Sequence, residues 1–448
     1  MRSDALGTAR SNPVSGGYAG PVRSRPLALA AALLALVTGC SFGLDQPSPE
    51  TSPGGDPVRS ALQDVERFWT QAFPAIADGK PFTPVRGGFY AYTRSNPPPA
   101  CGGRQSAYEP NAFYCPTDDF IAWDAETLIP QLREDFGPLL VGVVMAHEYG
   151  HAVQLRLAQP EQPTVVLEQQ ADCFAGAWVA DVLAGRSTAF RDVQPTQLDN
   201  TVGGLLLLRD QPGTPAVAPQ AHGNAFDRVR AFQEGVEEGA GRCAGYRADN
   251  LPVTEVPFTT EEDAARGGDL PYSRAVSLLS QDAQTYWADT FPDLAGRAWE
   301  PLRVAPFETP PACADRQATT DGAFYCPSGD FVAFDNVRLG PELYRRIGDN
   351  AVGTLIGNLF ARAAQDRRGR TTADRTGQLA VDCLTGSWTH DLLTRDESAD
   401  LRLSPGDLDE AVAALLVFGR ADDQKELTAF DRIAAYRGGV LNGLRACT

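Results

Sequence analysis

The sequence predicts two copies of one helical, disulfide-containing unit joined in tandem. Three observations carry this prediction. At 448 residues the chain is longer than one ordinary core requires. Short motifs of its first half return about 210 residues later in its second half. Within the first half, two long stretches space their apolar residues as helices do.

The overall composition indicates a folded protein and argues against polyanionic partners. Hydrophobic residues make up 43% of the chain and charged residues 21%, which is enough apolar material for packed cores. The formal net charge is −18, and the sequence shows no basic patch of clustered Lys and Arg. Because nucleic acids and anionic bilayers attract basic clusters, neither is an expected partner.

The first forty residues predict a lipoprotein signal peptide. Arg23 and Arg25 precede the apolar run Pro26–Val37, which is too short to span a bilayer and suits the core of a signal peptide. The run ends in the letters VTGC, and this resembles a bacterial lipobox whose Cys40 becomes the lipidated N-terminus. A simple secretion signal and a buried apolar helix are the alternatives.

The rest of the chain is therefore expected outside the cytoplasm, attached to the membrane only through the lipid. Residues 41–57 are rich in Pro, Gly and Ser and predict a flexible tether. Residues 58–268 and 269–448 are the two predicted domains. The oligomeric state stays open.

The repeat is visible in cysteines, aromatic residues and helix motifs. The boundary between the copies falls near Gly267–Pro271, and the matching segments are Pro99–Cys101 with Pro311–Cys313, Ala112–Pro116 with Ala323–Pro327, Asp172–Trp178 with Asp382–Trp388, and Phe226–Cys243 with Phe430–Cys447. Four cysteines in each copy allow three connectivities. Recurrence at nearly equal separations favours Cys101–Cys115, Cys173–Cys243, Cys313–Cys326 and Cys383–Cys447, with free buried thiols as the alternative.

A metal site is predicted on the helix expected at Pro138–Leu157. It carries His147-Glu148-Tyr149-Gly150-His151. Histidines four residues apart project from one face of a helix and can bind one ion. Glu148 lies beside them, where it can act as a general base.

The third ligand is expected on a second helix, Thr164–Ala184, with Thr164 as its cap. Glu168 and Asp172 share one face of that helix. Catalytic zinc sites often combine two His with one Glu, and a further carboxylate orients a ligating imidazole. We therefore assign Glu168 as the ligand and Asp172 as the orienting residue, although the opposite assignment also fits the spacing.

The combination of HEYGHAVQ, LEQQADCFAGAW, the upstream AFYCP and the downstream HGNAFDRVRAF resembles the neutral zinc metallopeptidase family of bacteria. The resemblance covers most of the first half. It implies a mainly α fold with minor β (α+β), zincin-like, with the active helix at its centre. It also implies one zinc ion on His147, His151 and Glu168, and Glu148 as general base. The resemblance implies a reaction class but no substrate; from that reaction class we expect a peptide or protein substrate.

The second half lacks this chemistry. Alignment of the halves puts Asn358, Leu359, Arg362 and Gln378 at the positions of the three ligands and the base. A guanidinium and an amide do not bind zinc, so the second copy is expected to be metal-free.

Residues that persist in both copies are expected to be structural. Cys383, Trp388 and Gln365 stand opposite Cys173, Trp178 and Gln154, and the sequence assigns them packing roles. Asp382 stands opposite Asp172, which indicates that Asp172 also braces its helix.

Two further histidines have different expected roles. His222 is replaced by Glu426 in the second copy, and we expect it to donate a hydrogen bond to the oxyanion of the reaction. A loop-packing role is the alternative for His222. His390 has no catalytic context and is expected to be structural.

The function predicted from the sequence is zinc-dependent hydrolysis of peptide bonds by the first copy. A non-catalytic envelope binding or scaffold lipoprotein is the alternative. In a mixed hypothesis, the degenerate copy binds or regulates the substrate that the first copy cleaves.

Overall fold

The computed structural model describes residues 57–159, 161–218, 221–315, 322–396, 398–421 and 427–447. The signal peptide, Cys40, the tether up to residue 56, and Glu426 lie outside the described residues, so the predictions about them stay predictions. Among the described residues, no helix has both the length and the apolar character needed to cross a bilayer.

The elements of the two halves follow one another in the same order. In the first half they are α1 (Pro57–Ile76), β1 (Gly88–Tyr92), β2 (Ala112–Cys115), β3 (Phe120–Asp124), α2 (Leu128–Phe136), α3 (Pro138–Leu157), α4 (Thr164–Leu183), α5 (Pro195–Leu207), α6 (Ala225–Glu238) and α7 (Ala240–Ala244). After α8 (Glu261–Ala265), the second half has α9 (Tyr272–Ala295), β4 (Arg303–Phe307), β5 (Ala323–Cys326), a 3-10 turn (Pro327–Gly329), β6 (Phe331–Asp335), α10 (Leu339–Arg346), α11 (Asp349–Arg367), α12 (Arg375–Thr394), α13 (Asp407–Ala421), α14 (Ala429–Asn442) and a final 3-10 turn (Gly443–Cys447).

Each half contains one small three-stranded sheet. The strand orders are β1-β3-β2 and β4-β6-β5, with the first pair parallel and the second antiparallel in both sheets. All five residues of the middle strand β3 are buried, and β2 is an edge strand of the sheet. The mainly helical α+β class predicted from the resemblance is confirmed.

Helix α3 lies at the centre of the first half, as predicted, and its bounds are those predicted from the sequence. Fourteen of its twenty residues are buried, including both sides of the helix. Helix α4 ends at Leu183, one residue before the predicted end. The prediction that Thr164 caps α4 is wrong: Pro163 is the N-cap, and its fixed φ of −54° leads directly into Thr164 as the first helical residue.

Glycines let α4 and α6 pack closely. A Cβ on Gly176 would lie 2.0 Å from the carbonyl oxygen of Phe232, and one on Gly235 would lie 1.9 Å from that of Cys173. These backbones therefore touch where no side chain can fit. In the second half, α12 and α14 repeat this contact through Gly386 and Gly439, which explains why the sequence repeats these glycines.

The cysteine pairing favoured by recurrence is present in the structure. All four pairs lie at disulfide distance with Cα separations of 5.4 to 5.8 Å, and they are Cys101–Cys115, Cys173–Cys243, Cys313–Cys326 and Cys383–Cys447. His390, predicted to be structural, donates from Nδ1 to the carbonyl oxygen of Val440 at 2.7 Å.

The two halves meet through reciprocal contacts. Asp199 on α5 accepts hydrogen bonds from the backbone N–H groups of Ala429 and Phe430 at the start of α14. Asp409 on α13, its counterpart, accepts one from the N–H of Phe226 at the start of α6. Each half therefore supplies a carboxylate to the first turn of a helix in the other half, where free N–H groups need acceptors. From Pro57 onward the chain forms one compact unit, with a hydrophobic core continuous across both halves.

Candidate metal centre

The candidate centre lies where α3 crosses α4. Gly150 allows the crossing, because a Cβ there would lie 3.0 Å from the Cα atom of Ala171. On the opposite side, the buried Tyr149 donates its hydroxyl to Glu66 on α1 at 2.8 Å. The histidine-bearing turn of α3 is thus held between two helices, so its side chains have little freedom to move.

Three predicted ligands come together at this crossing. His147 Nε2 lies 3.2 Å from Glu168 Oε2, and His151 Nε2 lies 3.6 Å from Glu168 Oε1. Zinc ligands at tetrahedral angles, about 2.0 to 2.1 Å from the ion, are about 3.3 Å from one another. One ligand atom of each of the three residues also lies within 4.8 Å of the other two, so together they can hold one zinc ion.

The other nitrogen of each imidazole is already engaged. His147 Nδ1 lies 2.8 Å from Asp172 Oδ1, and His151 Nδ1 lies 2.9 Å from Gln154 Oε1. The Gln154 amide is oriented by its own donation to the carbonyl of Leu167, which leaves its oxygen to accept from His151. Both rings are thereby held with Nε2 directed to the centre, as in zinc sites whose ligands are oriented by neighbouring acceptors.

Asp172 is held by an arginine that the sequence analysis missed. Arg228 on α6 donates from Nε to Oδ2 at 2.8 Å and from a terminal nitrogen to Oδ1 at 2.9 Å, and both residues are buried. Because both oxygens of Asp172 are used by Arg228 and His147, the geometry favours Glu168 as the third ligand. Repetition of Asp-Arg in both halves was the signal that could have identified Arg228.

The charges at the centre favour a cation. Burial by itself raises the pKa of Glu168, but the hydrogen bond from His147 and the charge of His151 lower it to about 2. Burial works against a charged His147, yet the carboxylates of Asp172 and Glu168 raise its pKa to about 10. The pKa of Asp172 is also lowered, so the buried carboxylates of Glu168 and Asp172 both stay ionised and stabilise positive charge at the centre.

Glu148 is buried beside the three candidate ligands, with 8% of its surface exposed. Burial raises the pKa of its carboxyl, and the backbone N–H of Tyr114 on β2 hydrogen-bonds to it. A raised pKa brings a carboxylate closer to the range in which it can take up and release a proton at neutral pH.

His222 also reaches the centre, from the loop before α6. Its Nε2 lies 4.0 Å from Glu168 Oε2, and its Nδ1 lies 3.5 Å from Asp210 Oδ1. The hydrogen bond with Asp210 raises the pKa of His222. With 47% of its side chain exposed, His222 forms the solvent side of the centre.

The comparison with protein families agrees with this geometry. Residues 45–246 match the model of the family described as "Putative neutral zinc metallopeptidase". This region of the chain is similar to that family. The matched region contains every residue of the centre described above, so the zinc metallopeptidase resemblance of the sequence is confirmed for the first half.

The individual relatives of this region have names that describe no function. Uncharacterized protein YpfJ of Escherichia coli K12 is 29% identical over 237 residues, which cover 46% of this chain and 77% of that protein. Uncharacterized proteins Mb2605 of Mycobacterium bovis and Rv2575 of Mycobacterium tuberculosis H37Rv are each 30% identical over 164 residues, or 31% of this chain and 55% of theirs. No solved structure matches the chain.

The second half places an arginine where the first half has its candidate ligands. Arg362 donates from Nε to Asn358 Oδ1 at 3.0 Å and from a terminal nitrogen to Gln378 Oε1 at 2.7 Å. These three residues stand at the positions of His151, His147 and Glu168. A positively charged guanidinium and two neutral amides thus stand where the first half has two imidazoles and a carboxylate.

The support behind the ligands is nevertheless retained in the second half. Asn358 donates to Asp382 at 3.0 Å, and Arg432 makes two hydrogen bonds of 2.8 Å to the same carboxylate. The Asp382–Arg432 pair therefore repeats the Asp172–Arg228 pair. This pair joins α12 to α14, and Asp172 joins α4 to α6 through the equivalent bonds to Arg228.

Proposed function

We propose that the first half is a zinc-dependent peptidase and that the second half is a copy without a metal site. The observation that carries the proposal is the approach of two imidazole Nε2 atoms to one carboxylate, at 3.2 and 3.6 Å. The family description of residues 45–246 supports zinc and a peptidase reaction. The centre offers three protein ligands, whereas a structural zinc ion usually has four. Together with the buried Glu148 beside them, this supports hydrolysis rather than a purely structural metal.

The proposed reaction divides its tasks among six residues. His147, His151 and Glu168 would hold zinc, which supplies a Lewis acid that acidifies water and polarises a carbonyl group. Glu148 takes the proton of the attacking water and returns it to the leaving amine. Asp172 and Gln154 keep the imidazoles in the tautomer that presents Nε2, so their role is to position the ligands.

The proposed location is the outer face of the cell membrane. It rests on the signal peptide and the lipobox Cys40 in the sequence, and on the four cysteine pairs, since disulfides persist in oxidising compartments. The proposed substrates are peptides or proteins in that compartment.

Removal and return of zinc test this function. We expect the purified full chain to cleave members of a peptide library, to lose cleavage after dialysis against a chelator, and to regain it with one equivalent of zinc. The readout is mass-spectrometric product analysis beside the zinc content. Cleavage that survives complete loss of metal would contradict the proposal, and a zinc-loaded protein that cleaves nothing would favour the non-catalytic binding lipoprotein.

His222 is proposed to stabilise the oxyanion that forms at the scissile carbonyl. Its Nε2 faces the centre while Nδ1–H donates to Asp210, and this contact raises the pKa of the ring, whose protonated form also carries an Nε2–H that can donate. We expect His222→Ala to lower kcat by roughly 10² to 10³ with little change in zinc content, the size typical for loss of one oxyanion donor. His390→Ala, which removes a histidine hydrogen-bonded to Val440, is the control and should leave kcat unchanged. An unchanged kcat in His222→Ala would return His222 to a loop-packing role.

A further inference from the structure

A second group of acidic residues lies away from the candidate zinc centre, at the junction between the halves. We call Asp269, Asp349, Asp407 and Glu410 the junction cluster. Asp269 precedes α9, Asp349 begins α11, and Asp407 and Glu410 lie in the first turn of α13. One carboxylate oxygen each of Asp269, Asp349 and Glu410 lies within 4.8 Å of the other two.

Backbone N–H groups orient three of these carboxylates. Asp269 Oδ1 accepts from the N–H of Asp349 at 3.2 Å, and Glu410 Oε2 accepts from the N–H of Asn350 at 2.8 Å. Asp349 Oδ2 accepts from the N–H of Leu270 at 2.7 Å. One oxygen of each of these carboxylates thus accepts from the backbone. The side chains of Asp269 and Glu410 also lie within hydrogen-bond reach of each other, a contact that two carboxylates can make only by sharing a proton or a cation.

Asp349 provides an observation that the helix ends alone do not explain. Its residue is only 5% exposed, and its Oδ1 atom is buried without any hydrogen-bond partner. Among the described residues, no Lys or Arg forms an ion pair with any member of the junction cluster. A buried carboxylate oxygen without a donor is costly, and neighbouring carboxylates increase that cost.

The backbone requires the close approach of these groups. Gly348 has a φ of 146°, and a Cβ there would lie 2.0 Å from Glu410 Oε1. Only a glycine therefore lets Glu410 lie against the start of α11. A cavity of about 350 Å³ adjoins Asp349 and Asp407, which provides room for water molecules beside the carboxylates.

Burial and the neighbouring carboxylates act in the same direction on this cluster. They raise the pKa of Asp349 to about 6, and they raise the pKa values of Asp407 and Glu410 well above the ordinary range. At neutral pH such a cluster needs either bound protons or a cation. Hard divalent cations bind to carboxylate and water oxygens, and calcium tolerates the irregular geometry that three unequal side chains provide.

We propose that the junction cluster is a calcium site in which Asp269, Asp349 and Glu410 bind the ion and water molecules complete its shell. The bound ion joins the segment between the halves to the first turns of α11 and α13. The site is independent of the proposed peptidase reaction, because none of its residues belongs to the candidate zinc centre.

Thermal unfolding of the full chain with and without calcium tests the site. Buffers are freed of calcium over a chelating resin, without a soluble chelator, so that the zinc centre keeps its metal. For a dissociation constant of ~10⁻⁴ M, ~10 mM CaCl₂ should raise the unfolding temperature by about 5 °C. Calorimetric titration of CaCl₂ should give close to one ion per chain.

Amide variants separate ion binding from a loss of structure. Glu410→Gln and Asp349→Asn keep an acceptor for the backbone N–H but remove negative charge. We expect both to lose the calcium response while unfolding at or above the wild-type temperature in calcium-free buffer, because repulsion is relieved. Asp289→Asn removes an exposed carboxylate on α9 and should keep the full response.

Three results would overturn the proposal. The first is an unfolding temperature of the wild type that calcium leaves unchanged. The second is a calcium response that persists in Glu410→Gln. The third is an equal shift with MgCl₂ alone, which would mean that the site does not select calcium.

Discussion

Glu148→Gln is expected to keep its zinc and lose most of its turnover. The substitution preserves the size of the side chain and its ability to accept the hydrogen bond from Tyr114, but an amide cannot take a proton from water. Loss of a positioned general base lowers kcat by roughly 10² to 10⁴. The measurement is the kcat on the best library peptide, with zinc content determined on the same sample.

The control for this result is an ordinary Glu→Gln change. Glu134→Gln alters an exposed residue of α2 and should leave both kcat and zinc content unchanged. Undiminished hydrolysis by pure Glu148→Gln protein would remove Glu148 from the reaction. Loss of zinc in that variant would instead make Glu148 part of the metal shell.

Substitution of the two carboxylates on α4 is expected to separate the ligand from its support. Glu168→Gln removes the charge that faces both Nε2 atoms, so zinc should no longer be retained through dialysis. Asp172→Asn keeps the ligand set but weakens the hold on His147, and changes of this kind typically cost 10- to 100-fold in metal affinity. Competition with a chromogenic chelator measures both zinc affinities.

The second half supplies a matched control for the Asp172 variant. Asp382 contacts Arg432 and Asn358 as Asp172 contacts Arg228 and His147. We expect Asp382→Asn and Asp172→Asn to lower the unfolding temperature by similar amounts, because each weakens a buried Asp–Arg pair. Only Asp172→Asn should change the zinc affinity. If Asp172→Asn abolished zinc binding and Glu168→Gln only weakened it, the ligand assignment would have to be exchanged.

The parts of the site that are local in sequence were predictable. His147, Glu148 and His151 lie on one helix, whose period fixes their relative directions. The cysteine pairs were predictable because the repeat presents each separation twice. In contrast, the bonds from Arg228 to Asp172 depend on the close packing of α6 on α4, which is set by glycines at Gly176 and Gly235 rather than by a spacing motif.

Comparison of the two copies was informative but incomplete for residues around the ligands. Gln154 was classed as structural because Gln365 persists opposite it, yet Gln154 accepts from His151 and so also orients a candidate ligand. In the second half, Gln365 instead accepts from Arg368. One side chain can serve both packing and the metal, and persistence in a degenerate copy reveals only the first of these roles.

Asp199 and Asp409 each accept hydrogen bonds from the start of a helix in the other half, so the two halves depend on each other. Without its second half, the chain would begin α6 with an unmatched N–H at Phe226, two residues before the arginine that holds Asp172. In one copy by itself, this N–H would be left to water or to the equivalent aspartate of another molecule. The two halves of the tandem chain therefore stabilise each other as the subunits of a dimer do, since each half completes the first turn of a helix in the other.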